Sequence, residues 1–173
     1  IMNNSKNVHH EVMRAEVPGP VFGKVVAKLK NTAQILYIIY LGMFVIFAMI
    51  LWICGMPLFD SIVIAMGGAG TGGFAVYNDS IAHYNSDLIT YVVTVGTLLF
   101  GVNFNLYFYI LLRKIRFFFQ DEELRTYLTI VAVSTSLIIL NIFGIYHSLA
   151  NSFKYSFFEV STIITTTGFG LTD

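Results

Sequence analysis

Two short runs of glycine, threonine and phenylalanine carry the most specific chemistry in this chain. They are Gly70-Thr71-Gly72-Gly73-Phe74 and Thr165-Thr166-Thr167-Gly168-Phe169-Gly170. A shift of 95 positions lays Gly73-Phe74 on Gly168-Phe169 and Thr71 on Thr166. Neither run contains an ionisable side chain, so the chemistry is that of the main chain. Glycine reaches dihedrals that branched residues forbid, which lets extended Gly/Thr backbone turn successive carbonyls toward one axis. Rings of such carbonyls replace the water shell of a monovalent cation.

Other chemistries fail on their own terms. Gly68-Ala69-Gly70-Thr71-Gly72-Gly73 satisfies the dinucleotide pattern GxGxxG. That pattern needs a preceding strand in a βαβ unit, and here a hydrophobic helical stretch precedes it. The single cysteine, Cys54, excludes a disulfide framework and a cysteine-based zinc site. His9-His10, His83 and His147 do not fall at metal-ligand spacing. No nucleophile–base pair stands out, so no enzymatic activity and no cofactor is expected. The plainer reading of glycine in a membrane helix is close packing, and it suits the lone Gly96, Gly101 and Gly144.

The elements that must position the two loops follow from composition. Of 173 residues, 56% are hydrophobic and 12% charged, with mean hydropathy +0.73. Soluble domains are about a quarter charged. Ten basic residues balance ten acidic ones, which excludes a basic nucleic-acid binder. The charges are clustered, and charge-free runs cover Asn31–Phe59, Leu88–Leu112 and Thr126–Phe153. About 20 helical residues cross a hydrocarbon core of roughly 30 Å. Spans are therefore expected at 33–53, 88–112 and 128–147. Nine of the ten cations precede the first span or lie between the second and third, which places 1–32 and 113–127 in the cytoplasm. The segments holding the two loops then face outside.

A further apolar stretch, Pro57–Gly68, reaches only about 18 Å as a helix, too short to cross. Pro57 suits the start of such a helix. The reading is a re-entrant hairpin, a half-helix followed by an extended glycine-rich return. Irregular backbone at that depth needs a water-filled cavity or a protein environment. The 95-residue shift also lays the span from Ala33 on that from Leu128, and Leu58–Met66 on Phe153–Ser161.

The expected fold is thus all-α and membrane-embedded, built from repeats of helix, pore helix, filter loop and helix. The first unit is complete at 33–112, with pore helix 57–68, filter 70–74 and closing span 88–112. The second, 128–173, is truncated, with pore helix 153–164 and filter 165–170. Each half-helix aims its partly negative C-terminal end at the cavity. Asp60, Asp79, Asp87, Glu159 and Asp173 against Lys154 make the outer side acidic and would gather cations there. Asn103, Asn105 and Asn141 are expected to hydrogen-bond between helices. Trp52 reads as an interfacial anchor, and Phe117–Phe119 beside Arg116 as a helix at the cytoplasmic interface.

The sequence resembles the Trk/Ktr/HKT superfamily of potassium transporters, and within it the bacterial TrkH-type subunits. The resemblance rests on GTGGFAVYNDS (70–80) and STIITTTGFG (161–170), supported by AEVPGP (15–20), NFNLYF (103–108) and RKIRFFFQDEELRTYL (113–128). It implies four such units in one polypeptide around one pore, of which this chain would hold the second and most of the third. It implies that Gly73 and Gly168 are filter glycines. The carbonyls of Thr71, Gly72, Thr166 and Thr167 would complete a potassium site with them. It also implies potassium uptake across the inner membrane, a homodimer, and a cytosolic nucleotide-binding regulatory partner. Two alternatives stay open: a two-repeat cation channel that dimerises, and a non-transporting membrane scaffold.

Overall fold

The computed structural model describes residues 21–113 and 115–171. The expectations for His9-His10, for 15–20 and for Asp173 therefore lie outside the described residues, as does most of the segment 1–32. The described elements are helices α1 (Val21–Ile53), α2 (Leu58–Ala69), α3 (Asp87–Phe100), α4 (Phe104–Leu111), α5 (Ile115–Gln120), α6 (Glu122–Tyr146) and α7 (Leu149–Ile164), with a 3-10 turn at Ser80–Tyr84. No strand occurs among the described residues. The chain divides into two compact units, 1–35 and 36–173, and the core and both loops lie in the second.

Two helical stretches among the described residues, Ala33–Ile53 and Glu122–Gly144, are long and apolar enough to cross a membrane, and only 11% of an 18-residue apolar window in each is buried inside the protein. Ile38, Ile46, Ile53, Leu137 and Leu140 stand exposed along them. Side chains of that kind belong against hydrocarbon, where each backbone group is already bonded within its helix.

The expected straight span 88–112 is two helices, α3 and α4, bent by 91° between Phe100 and Phe104. The sequence supplies the break and its repair. Gly101 ends α3, where a Cβ would lie 2.6 Å from the Tyr127 hydroxyl and 2.9 Å from Thr165 Cγ2. Asn103 opens α4 by accepting from the Asn105 amide at 3.0 Å, and donates to Glu123 of α6 at 2.9 Å. A helix end leaves its last carbonyls without intrahelical donors. Here the Tyr127 hydroxyl donates to the Leu98 carbonyl (3.1 Å) and the Tyr107 hydroxyl to that of Leu99. The expected interhelical bond thus exists for Asn103, whereas Asn141 is exposed.

α2 follows the expected half-helix closely, with Pro57 just before it. α7 begins at Leu149 rather than at 153, because the chain reverses at His147 (φ 47°) and Ser148 is already extended. The main core joins Phe47 and Leu51 of α1, Ile64 and Ala65 of α2, Val93 and Phe100 of α3, Phe158 of α7, and Ile81, Phe169 and Leu171. Close approach is allowed at Gly96, whose missing Cβ makes room for the Phe47 ring. Among the described residues Gly144 has nothing within 4 Å of such a Cβ, so no packing seen there accounts for it.

Candidate functional site

The two glycine-threonine loops follow α2 and α7, and their backbones are copies of one another. Gly70 and Thr165 amides bond the carbonyls of Met66 and Ser161, and Thr71 and Thr166 those of Gly68 and Ile163. Gly72 and Gly73 both bond the Gly67 carbonyl, as Thr167 and Gly168 both bond that of Thr162. All four pairs keep the 95-residue offset. Left-handed backbone recurs at the same places, with φ of 52° at Thr71 and 57° at Thr166, then 61° at Gly73 and 81° at Gly168. A threonine in that region is costly by about 1–2 kcal/mol, and strain of this kind concentrates at binding sites.

Four consecutive amides in each loop, 70–73 and 165–168, are therefore turned back onto the helix before it. Among the described residues, no hydrogen bond reaches the carbonyls of Thr71, Gly72, Gly73, Thr166, Thr167 or Gly168. The carbonyls of Gly70, Phe74, Thr165 and Phe169 likewise accept no hydrogen bond among the described residues. The side chains add little, since the Thr167 hydroxyl pairs with that of Thr165 at 2.8 Å.

The loops also meet. A Cβ on Gly73 would collide with the Thr167 carbonyl oxygen and lie 3.0 Å from the Gly168 carbonyl carbon. Only glycine satisfies both this contact and its positive φ. Gly168 carries the same kind of φ but has nothing within 4 Å of a Cβ among the described residues. Phe169 is 2% exposed, its ring lying over Gly67 and Gly68 of α2. Its counterpart Phe74 is 76% exposed.

Beyond the second loop, Gly170 is gripped by the segment that follows the first. Its amide donates to the Ser80 hydroxyl (3.2 Å) and its carbonyl accepts from the Ile81 amide (3.1 Å). Ser80 itself has φ 52°. The 3-10 turn carrying it is anchored by Tyr84, whose hydroxyl donates to buried Asp60 at 2.9 Å. Burial, then the bond to Asp60, pushes the Tyr84 phenol well above its usual range, so the donor keeps its proton. Ser80 and Tyr84 escaped sequence reasoning. The turn-forming run Asn78-Asp79-Ser80 was their only signal.

The carboxylates expected to form an acidic outer side are less free than composition suggested. Asp60 is 4% exposed and held by Tyr84, and Asp87 pairs with Lys154 at 2.7 Å. Asp79 lies 3.4 Å from His83, which in turn stacks on Tyr77. Glu159 is half-buried in α7. No group of three or more histidine, cysteine or acidic residues could hold a metal among the described residues.

Comparison with known proteins places the chain. No family model matches it. It is 32% identical over 165 residues to the Trk system potassium uptake protein TrkH of Salmonella typhimurium, covering 92% of this chain and 34% of the relative. It is 31% identical over 169 residues to the Trk system potassium uptake protein TrkG of Escherichia coli, covering 94% of this chain and 34% of that one. The crystal structure of the potassium transporter TrkH from Vibrio parahaemolyticus superposes with a TM-score of 0.79 at 27% identity, covering 84% of this chain and 32% of that one. The resemblance drawn from the loop motifs is borne out. The chain spans about a third of the length of the curated relatives it matches.

Proposed function

We propose, on the premise that this chain is related along nearly its whole length to the TrkH-type potassium transporters, that it supplies two of the carbonyl-lined loops through which such a protein takes up potassium. The carrying observation is the pair of loops whose amides at 70–73 and 165–168 are engaged by the preceding helix, while the carbonyls of Thr71, Gly72, Gly73, Thr166, Thr167 and Gly168 accept no hydrogen bond among the described residues. Carbonyl oxygens substitute for the hydration shell of a dehydrated alkali cation without any fixed charge in the ring. Potassium is the transported substrate, and the reading requires no cofactor.

α2 and α7 act as pore helices, with the partly negative C-terminal ends of both facing the ion. The units are 33–112, joined by 113–127 to 128–173, and further units of the same kind complete the pore to four. Exposed Phe74 supports this, since its counterpart Phe169 is seated on a neighbouring half-helix. The N-terminus lies in the cytoplasm, the loops face outside, and the membrane is the inner one. An inside-negative potential of 100 mV favours entry by about 2.3 kcal/mol per charge. The protein works as a homodimer with a cytosolic nucleotide-binding regulator, to which 113–127 is accessible.

The test uses the complete open reading frame expressed in cells lacking other potassium uptake. Growth at limiting potassium and rubidium uptake are expected with the native sequence and lost with Gly73→Ser. Unchanged uptake and selectivity in that variant refutes the filter. Tolerance of bulky substitutions in both loops, with no flux on reconstitution, is the result a scaffold would give.

A further inference from the structure

The residues that hold the second loop in place belong to the stretch that leaves the first. We infer that Ser80 is a positioning residue for the second loop, and that the turn Ser80–Tyr84 sets how sharply that loop distinguishes potassium from sodium. The inference rests on the potassium reading above. Gly170 stands two residues beyond Gly168, and both of its backbone polar groups are bonded to this turn, the amide to Ser80 Oγ at 3.2 Å and the carbonyl to the Ile81 amide at 3.1 Å. The clasp is two-point, so it fixes the rotation of the Gly170 peptide planes as well as their location. A carbonyl ring discriminates between ions through the number and placement of its oxygens. A loop free to rotate at its exit has lost part of that placement.

The turn is itself tied down. Ile81 is 1% exposed in the main core, and Tyr84 donates to Asp60 of α2 at 2.9 Å. The second loop is thereby referred to the half-helix of the first unit, the same helix that seats Phe169. Ser80 holds a left-handed backbone (φ 52°) that a serine adopts only at a cost. Glycine would take that backbone without strain, so serine at this position carries a conformational cost that glycine would not. The hydroxyl accepting from Gly170 is the feature a glycine lacks.

The experiment compares the complete native protein with Ser80→Ala, Ser80→Gly and Tyr84→Phe. Initial rubidium and sodium uptake are measured in uptake-deficient cells, with the amount of membrane-inserted protein determined in parallel. Amide hydrogen exchange over 165–171 is followed on purified protein. Ser80→Gly guards against misfolding, because it relieves the backbone while still removing the hydroxyl. In both Ser80 variants the sodium-to-rubidium uptake ratio is expected to rise roughly 2- to 10-fold, the range one lost hydrogen bond of this kind allows. Exchange over 165–171 should quicken in the same variants, and Tyr84→Phe should shift both readouts in the same direction. A native protein that is selective, with Ser80 variants equally selective, overturns the inference and leaves the potassium reading standing. A native protein that carries neither ion overturns the potassium reading and this inference with it.

Discussion

Gly73 and Gly168 occupy equivalent positions, yet alanine at the two should act very differently. Both have left-handed backbone, at φ 61° and 81°, so any Cβ adds about 1–2 kcal/mol of strain. At Gly168 the added methyl meets nothing within 4 Å. At Gly73 it is driven into the Thr167 carbonyl oxygen and lies 3.0 and 3.1 Å from the Gly168 carbonyl atoms. Those are backbone atoms pinned by their own bonds to Thr162 and cannot swing aside like a flexible side chain. Forcing an extra methyl into a tight contact costs about 1–3 kcal/mol more. Gly73→Ala should therefore destabilise by about 2–5 kcal/mol and Gly168→Ala by about 1–2. Ion uptake is the wrong sole readout, because on the proposed reading a methyl at either glycine stands in the ion's path whatever it does to the fold. The decisive assay is thermal unfolding of the complete protein in detergent, with rubidium uptake alongside. Gly73→Ala should lower the midpoint clearly further, while both variants lose uptake. Equal midpoints would refute direct contact between the loops.

Three further outcomes are expected. Tyr107→Phe and Tyr127→Phe each strip the donor from a carbonyl at the end of α3, costing about 1–3 kcal/mol per variant, which denaturation in detergent will show. Ser152 and Ser156 are fully buried in α7 with hydroxyls that have no partner among the described residues, so alanine at either is expected to be neutral or stabilising in the same assay. Phe169→Ala should cost about 3–5 kcal/mol, against little for Phe74→Ala in the isolated chain, a contrast readable as relative yield of folded protein.

Legibility in the sequence followed the range of the interactions. The loops announced themselves, because Gly-Phe pairs after short apolar helices encode local backbone geometry, and the 95-residue offset reappears hydrogen bond for hydrogen bond. The break between α3 and α4 did not. A run without charge from Leu88 to Leu112 satisfies the length of a bilayer, and nothing local says that two distant tyrosines will cover the freed carbonyls. Gly101 and Asn103 were visible, but glycine and asparagine have several uses inside a membrane helix. The clasp on Gly170 joins residues 90 positions apart, and the capture of Asp60 by Tyr84 joins residues 24 apart. Such pairings leave no periodicity, which is also why the acidic rim looked freer than it is.

The glycine seat beneath Phe169 bears on ancestry. Two segments so alike in backbone descend most simply from one duplicated piece, but inheritance has not kept them interchangeable. Ninety-five places beyond Gly67 and Gly68 stand Thr162 and Ile163, with the Ile163 side chain 69% exposed. A closed circle of two identical molecules would carry Phe74 of one onto that isoleucine of the other, where the first junction offers bare main chain. On the four-unit reading proposed above, such joints are keyed, each cut for its own neighbour.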